Sequence, residues 1–464
     1  MSGMSEQGLT AARETMVAAG VPPRAIEVFA HHYAELEAGA TGMIHESDID
    51  PLDPPPRLAD AQVDESQMRD ALARTVVIKL NGGLGTSMGM DKAKSLLPVR
   101  GERTFLDIVV EQVRRVRSVY DTDLPLILMD SFRTREDTLD ALTQHPDVPV
   151  EGLPLDFLQN KEPKLRADDL TPVSWPKDPT LEWTPPGHGD LYTALDASGT
   201  LAALIEAGYR YASVSNSDNL GSYPSPRMAG WFAQSSAPYA AEVCRRTPAD
   251  VKGGYLVRRK SDGRLVLRET AQTPKEDQAL ADDTTRHRWF HTNNLWFDLE
   301  ALAAVIEARD GVLGLPLIKN VKTVDPTDPT SPEVIQVESA MGAAVEVFDG
   351  AVAIEVERER FLPVKTTDDL LLVRSDFYDL DEDFHLVARR EDAPLVRLDK
   401  KHYKLVRDFD ARFPRGPVSL ADATAFTVQG DWTFGAGVRV VGEVTVPAEG
   451  SPGTIDDGTV LEGS

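Results

Sequence analysis

Residues Thr75 to Val99 read TVVIKLNGGLGTSMGMDKAKSLLPV, and this stretch decides the fold. TVVIKL is a β-branched, apolar run stopped by Asn81-Gly82-Gly83, the pattern of a buried strand ending in a turn. Consecutive glycines after such a strand let backbone N–H groups approach a phosphate or a base without Cβ obstruction. Two familiar versions fail on spacing. A Walker A loop needs G-x-x-x-x-G-K-[ST], but Met90 follows Gly89 and no pair of glycines fits. A dinucleotide fingerprint needs G-x-G-x-x-G; Gly83 and Gly85 fit, but Met88 takes the third glycine's place.

Downstream, FLDIVVEQVRRV spaces Phe105, Ile108, Val109 and Val113 at near-helical intervals. LPLILM then reads as a second buried strand and YRYASVSNSDN as a later one. The alternation predicts an α/β domain with a mixed, mostly parallel sheet and helices on both faces. Upstream, residues 1–60 read as a helical segment and a linker. Ala11, Met16, Val17, Ile26, Val28 and Phe29 supply apolar faces, while His31 and His32 are expected on a solvated face. Residues 46–65, ESDIDPLDPPPRLADAQVDE, are proline-rich and acidic, which suits an extended crossing onto a neighbouring domain. Residues 61–390 are expected to form the main α/β domain and 391–464 a separate C-terminal one. In that tail, VRVVG and VTV are separated by glycines every few residues, like imperfect coils of a parallel β-helix; an antiparallel meander is the alternative.

The formal net charge of -26 excludes a general nucleic-acid binder, because such proteins hold polyanions with Lys and Arg. A small phosphorylated substrate stays open if a few lysines gather in one cleft. No apolar run approaches the ~18 residues of a membrane span, and the N-terminal MSGMSEQGLTAARE lacks a signal-peptide pattern. Cys244 is the only cysteine, so an internal disulfide and a cysteine-rich metal site are excluded, and a cytoplasmic location is expected.

The complete string LNGGLGTSMG, followed by Lys94-Ser95 and LLPV, resembles the signature of the eukaryotic-type UTP–glucose-1-phosphate uridylyltransferases, or UDP-glucose pyrophosphorylases. The resemblance continues in order through QNKEPKL, WTPPGHGDLY, SNSDNLGS, DVKGGYL, FHTNNLWFDLEAL and RFLPVKTTDDLLLVRSDFY to GDWTFGAGV, and covers roughly residues 45 to 464. It implies a Rossmann-like, GT-A-like nucleotidyltransferase domain with a C-terminal left-handed parallel β-helix. It also implies Mg2+-dependent transfer of uridylate from UTP to glucose 1-phosphate, giving UDP-glucose and pyrophosphate. The rivals are a UDP-N-acetylhexosamine pyrophosphorylase, a broad-specificity UDP-sugar pyrophosphorylase and a non-catalytic nucleotide-sugar binder. Oligomeric state is left open.

The same resemblance assigns residues. Lys94 and Lys365 match the two lysines that face the reacting phosphates; in a reaction carried by charge neutralisation and alignment, lysines there are the expected catalysts. Leu80, Gly82, Gly83, Met129, Pro186 and Gly187 match the loops around the base, and Gln159 matches the amide that reads its edge. Asp218, ending an apolar strand, is expected to hold Mg2+ together with α-phosphate oxygens, and Asn216 shares its face. His188 matches a histidine near the phosphates. Gly254, Glu269 and Asn293 fall in the glucose-holding segments, with Asn294 as a possible sharer of that duty. Two departures stand out: Lys92-Ala93 replaces the usual Gly-Pro before Lys94, and His291 replaces an asparagine.

Overall fold

The computed structural model describes residues 2–247, 250 and 253–463; Val251 and Lys252 of the DVKGGYL string lie outside them. Ten strands form the central sheet: β1 (Ile49–Pro51), β2 (Thr75–Leu80), β3 (Leu126–Asp130), β4 (Asp156–Leu158), β5 (Tyr211–Asn216), β6 (Tyr239–Arg245), β7 (Tyr255–Arg259), β8 (Leu265–Arg268), β9 (Trp289–Asp298) and β10 (Val352–Glu355). Their spatial order is β1-β7-β9-β5-β2-β3-β4, with β8 beside β7 and β6 pairing with both β9 and β10. The β5-β2-β3-β4 half is parallel, as is β6 with β10. The other five pairings are antiparallel, which corrects the expectation of a mostly parallel sheet. The reason lies in the connections. Parallel neighbours need long crossovers, such as the helix Phe105–Tyr120 between β2 and β3, whereas β7 and β8 are joined by a short turn.

Alternation along β2 sends Val76 and Ile78 to one face and Val77 to the other. On the first face they pack with Leu191, Leu195 and Leu302. On the second, the helix Phe105–Tyr120 supplies Phe105, Ile108, Val109 and Val113, the residues its spacing marked. The helices Ser2–Ala18 and Pro23–Glu37 pack on Leu317, Ile335 and Val337. His32 is not solvated as expected; its ring is buried with Nε2 3.1 Å from the Leu315 carbonyl, and burial pushes its pKa down to about 4. The acidic crossing is also more than a linker. It contributes β1 to the sheet, and its buried Glu46 accepts from Arg268, from Arg286 Nε at 2.6 Å and lies 3.0 Å from His287 Nε2.

In the C-terminal region β11 (Leu395–Leu398), β12 (Ser419–Val428), β13 (Arg439–Val446) and β14 (Val460–Glu462) pair successively in parallel. A second parallel ladder joins Trp432–Phe434 to Gly453–Ile455, so the pairing is not that of an antiparallel meander. Short helices at Lys400–Tyr403 and Val406–Arg412 connect β11 to β12. Phe409, Phe413, Phe426 and Phe434 belong to the same apolar cluster as Phe105 and Val77, one core running through both regions. A Cβ on Gly89, whose φ is +73°, would stand 3.0 Å from Leu405 Cδ2, so the glycine loop rests on this region. Among the described residues no helix is long and apolar enough to cross a membrane.

Candidate active site

The parallel strands end side by side, with Asn216 opposite Leu80 and Leu80 opposite Met129, and their carboxyl ends are where such sheets bind ligands. The loop after β2 meets two others here. Gln159 Nε2 donates to the Gly187 carbonyl at 2.8 Å, and a Cβ on Gly82 would come within 2.8 Å of Gln159 Oε1. Gly187 has φ +77°, and its missing Cβ would strike the Ser339 carbonyl at 2.6 Å; the Ser339 N–H donates to Pro186 at 3.0 Å. Gly82, Gln159, Pro186 and Gly187 therefore converge on one crevice that tolerates no added side chain. Met129 differs: its side chain is buried in the core and its carbonyl accepts from Asn81, so it supports the loop from beneath.

Lys94 begins a 3-10 turn, and its N–H donates to the Gly83 carbonyl at 3.0 Å, which folds it back over the glycines. Its Nζ donates to Asp218 Oδ2 at 2.6 Å. Lys365 reaches the same place from far along the chain. Asn219 forms an antiparallel bridge with Pro363, and the Val364 N–H lies 3.4 Å from the Asp218 carbonyl.

Asn216 and Asn219, on either side of Asp218, help to line a cavity of about 290 Å³ whose walls also include His188, Gly254, Glu269, Asn293 and Lys365 but neither Lys94 nor Asp218. The residues assigned to the sugar and one of the two lysines thus share one space. His188 Nδ1 accepts the Met341 N–H at 2.9 Å, so the neutral ring carries its proton on Nε2; burial holds its pKa down at about 4. Burial raises the Glu269 pKa, opposed by Lys365. Asn293 sits at φ +58°, a left-handed conformation that asparagine accepts more readily than most residues. Asn294 lies outside the cavity's lining. It is buried and donates to Glu242 Oε2 and the Arg360 carbonyl at 3.1 Å each.

Sequence reasoning missed several neighbours. Asn219, Asn320 and Glu338 also line the cavity. Asn219 accepts from the Leu362 N–H at 2.8 Å and donates to Asn294 and Arg360, so it registers the Lys365 segment against the Asp218 turn. Behind it, Arg360 is paired twice with buried Glu242, at 2.7 and 2.8 Å. Lys79 of β2 is fully buried. A lysine inside an otherwise apolar strand was the available signal.

The family model described as UTP–glucose-1-phosphate uridylyltransferase matches residues 26–440. The chain belongs to the UTP–glucose-1-phosphate uridylyltransferase family. Family enzymes of this name from Solanum tuberosum and Saccharomyces cerevisiae are 38% and 39% identical, with 87% and 84% of this chain matched to 83% and 77% of theirs. UDP-glucose phosphorylase from Trypanosoma brucei superposes with a TM-score of 0.91 at 41% identity, covering 99% of both chains. A mutant Leishmania major UDP-glucose pyrophosphorylase in complex with UDP-glucose gives 0.93 at 40% identity, covering 99% of this chain and 98% of that one. Against the family pattern, the two departures are accommodated differently. Ala93 is fully buried and Lys92 exposed, so the altered pair keeps its apolar member inside. His291 lines the cavity, with Nδ1 3.1 Å from the Asn293 N–H.

Proposed function

We propose that this chain transfers uridylate from UTP to glucose 1-phosphate, giving UDP-glucose and pyrophosphate. One observation carries the assignment: Asn216 and Asn219, flanking the Asp218 that bonds Lys94, wall the same cavity as His188, Gly254, Glu269, Asn293 and Lys365. A phosphate oxygen of glucose 1-phosphate attacks the α-phosphorus of UTP in line. That P–O bond forms as the bond to the β-phosphate's bridging oxygen breaks, and pyrophosphate leaves with the electron pair. Gly82, Gly83, Leu80 and the Gln159 amide hold the base, with Pro186 and Gly187 closing the crevice. Lys94 leaves Asp218 for the triphosphate, and Lys365 offsets charge from the sugar-phosphate side. His188 offers a neutral N–H, which binds a phosphate or hydroxyl oxygen without exchanging a proton at neutral pH. Gly254, Glu269 and Asn293 take the glucose hydroxyls.

The family implies a divalent ion, and Asp218 fits Mg2+. Lys94 occupies Oδ2, while Oδ1 has no side-chain or backbone donor among the described residues. Among the described residues no three-ligand protein cluster includes Asp218. Mg2+ suits so sparse a donor set because it keeps waters and takes phosphate oxygens. When bound, it would supply charge neutralisation at the α-phosphate and the leaving group.

The successive parallel ladders support a parallel β-helix for residues 391–464, left-handed by the family resemblance alone, after a catalytic unit at 61–390 and a helical and linker segment at 1–60. The buried free thiol of Cys244 is in keeping with a cytoplasmic setting. The test is pyrophosphate release from UTP with a panel of sugar 1-phosphates. Release with glucose 1-phosphate is expected. Release only with an N-acetylhexosamine 1-phosphate, or with none, overturns the assignment in favour of a rival pyrophosphorylase or a silent binder.

A further inference from the structure

Lys79 has no exposed surface, and an ammonium taken so deep is unfavourable unless a carboxylate neutralises it. Among the described residues no carboxylate is bonded to it. Its N–H groups go to Ser215 Oγ at 2.8 Å, the Ser222 carbonyl at 2.7 Å and Ser222 Oγ at 2.9 Å. Ser215 lies near the end of β5, and Ser222 closes the turn that follows Asp218. The ammonium therefore ties the two ends of the turn carrying Asp218, from beneath. Gln112 Nε2 holds the same turn at the Leu220 carbonyl, 3.1 Å away.

Holding a turn does not require a charge; a neutral amide would bond the same serine oxygens with far less desolvation. The surrounding charges do not explain it either. Arg360 opposes the charge on Lys79, while Glu242 and Asp218 favour it. Glu242 is already bonded twice to Arg360, and Asp218 to Lys94. A surplus positive charge is thus left directly under the Asp218 turn. Burial pushes the ammonium's pKa down to about 7, and an anion above the turn would favour the protonated form.

We infer that Lys79 is a positioning residue for the phosphate end of the cleft: it fixes the Asp218 turn and lends it a buried positive charge without touching substrate. The inference rests on the uridylyl-transfer assignment only for where the phosphates lie.

Lys79→Met keeps the bulk of the side chain but removes both its charge and its bonds to the two serines. Binding of pyrophosphate, UTP and uridine is measured by calorimetry or competition, beside kcat and the melting temperature. Pyrophosphate and UTP are expected to bind about five- to twentyfold more weakly. Uridine affinity stays within about twofold and kcat falls at least about tenfold, and the melting transition shows whether the variant is folded. Pyrophosphate and UTP binding at wild-type strength, or a parallel loss of uridine affinity, overturns the inference. If Lys79→Met does not fold, Ser222→Ala keeps the charge and loosens the tie. Its kcat should fall by about fivefold or more with pyrophosphate and uridine affinities retained; an unchanged kcat overturns the inference. A wild-type protein that binds pyrophosphate but forms no UDP-glucose refutes the uridylyl-transfer assignment, and the binding comparison still decides the role of Lys79.

Discussion

Lys94→Ala removes two things at once, and the structure separates them. Loss of a charged donor to a phosphoryl-type transition state lowers kcat by about 10²- to 10³-fold, or about 2.7–4 kcal/mol. The second loss is the partner of Asp218. Lys94 Nζ lies 2.6 Å from Oδ2, and the Asp218 side chain is only 16% exposed, so the carboxylate is left unpaired where water screens it poorly. It then faces an incoming triphosphate as a like charge. With metal chelated, UTP should bind Lys94→Ala about tenfold more weakly, equivalent to about 1.4 kcal/mol. Lys94→Ala combined with Asp218→Asn abolishes the repulsion, so metal-free UTP affinity should return to within about threefold of wild type, while turnover stays low. Calorimetry in a chelator gives the affinities, and pyrophosphate release with Mg2+ gives kcat. A kcat for Lys94→Ala within about threefold of wild type refutes the role of the lysine. A double variant that binds UTP no better than Lys94→Ala refutes the role of the pair.

Gln159→Leu deletes the bond to Gly187 and the amide facing Gly82; UTP binding should weaken by about 1–3 kcal/mol with glucose 1-phosphate affinity in the UTP-loaded enzyme intact. Undiminished discrimination of UTP from CTP would refute that reading of the crevice. Asp218→Asn alone should depress kcat more than UTP affinity, with part of the rate regained in Mn2+. The control is Asp368→Asn, whose Oδ1 accepts the Leu398 N–H at 3.0 Å and ties the helix Thr367–Arg374 to β11; it should keep kcat and Mg2+ dependence. Asp190 has its pKa raised by burial to about 7 against the opposing bonds from Asn160. The folded state therefore holds this proton more tightly than the unfolded chain, where aspartate titrates near about 3.9. Its stabilising contribution is complete below that pH and is lost as pH rises through about 7. Asp190→Asn should flatten the denaturation midpoint between those limits, and an unaltered pH slope counts against the assignment.

Local physics explains what was legible in the chain. TVVIKL and FLDIVVEQVRRV declare a strand and a helix because burial on known faces imposes their periods, and both stand where expected. The antiparallel half of the sheet was not legible, since whether β9 pairs with β5, β6 or β7 depends on partners far away in sequence. His32 misled for the same reason: the Leu315 carbonyl that buries it is 283 residues distant. At the site, ordered motifs supplied His188, Gly254, Glu269, Asn293 and Lys365, which the fold does bring to one cavity. They gave no sign that Lys94 and Asp218 bond each other, nor which of Asn293 and Asn294 faces the cavity. A bulge in β9 decides the second point: its register with β6 slips between Leu295 and His291, and Asn293 there takes a left-handed backbone bonded to His291, which no spacing rule reveals.

Leu405, between the two short C-terminal helices and packed on Gly89, makes that region part of the foundation of the glycine loop. None of the described residues lining the cavity beside Asn216 and Lys365 comes from 391–464, which would suit a cassette exchanged freely among relatives. The contact with Gly89 and the common core argue otherwise. Grafting in another relative's tail would replace the floor on which the loop stands and retune how Lys94 is presented. Divergence in the tail is therefore a route by which this enzyme's turnover can drift while every residue in the cleft stays the same.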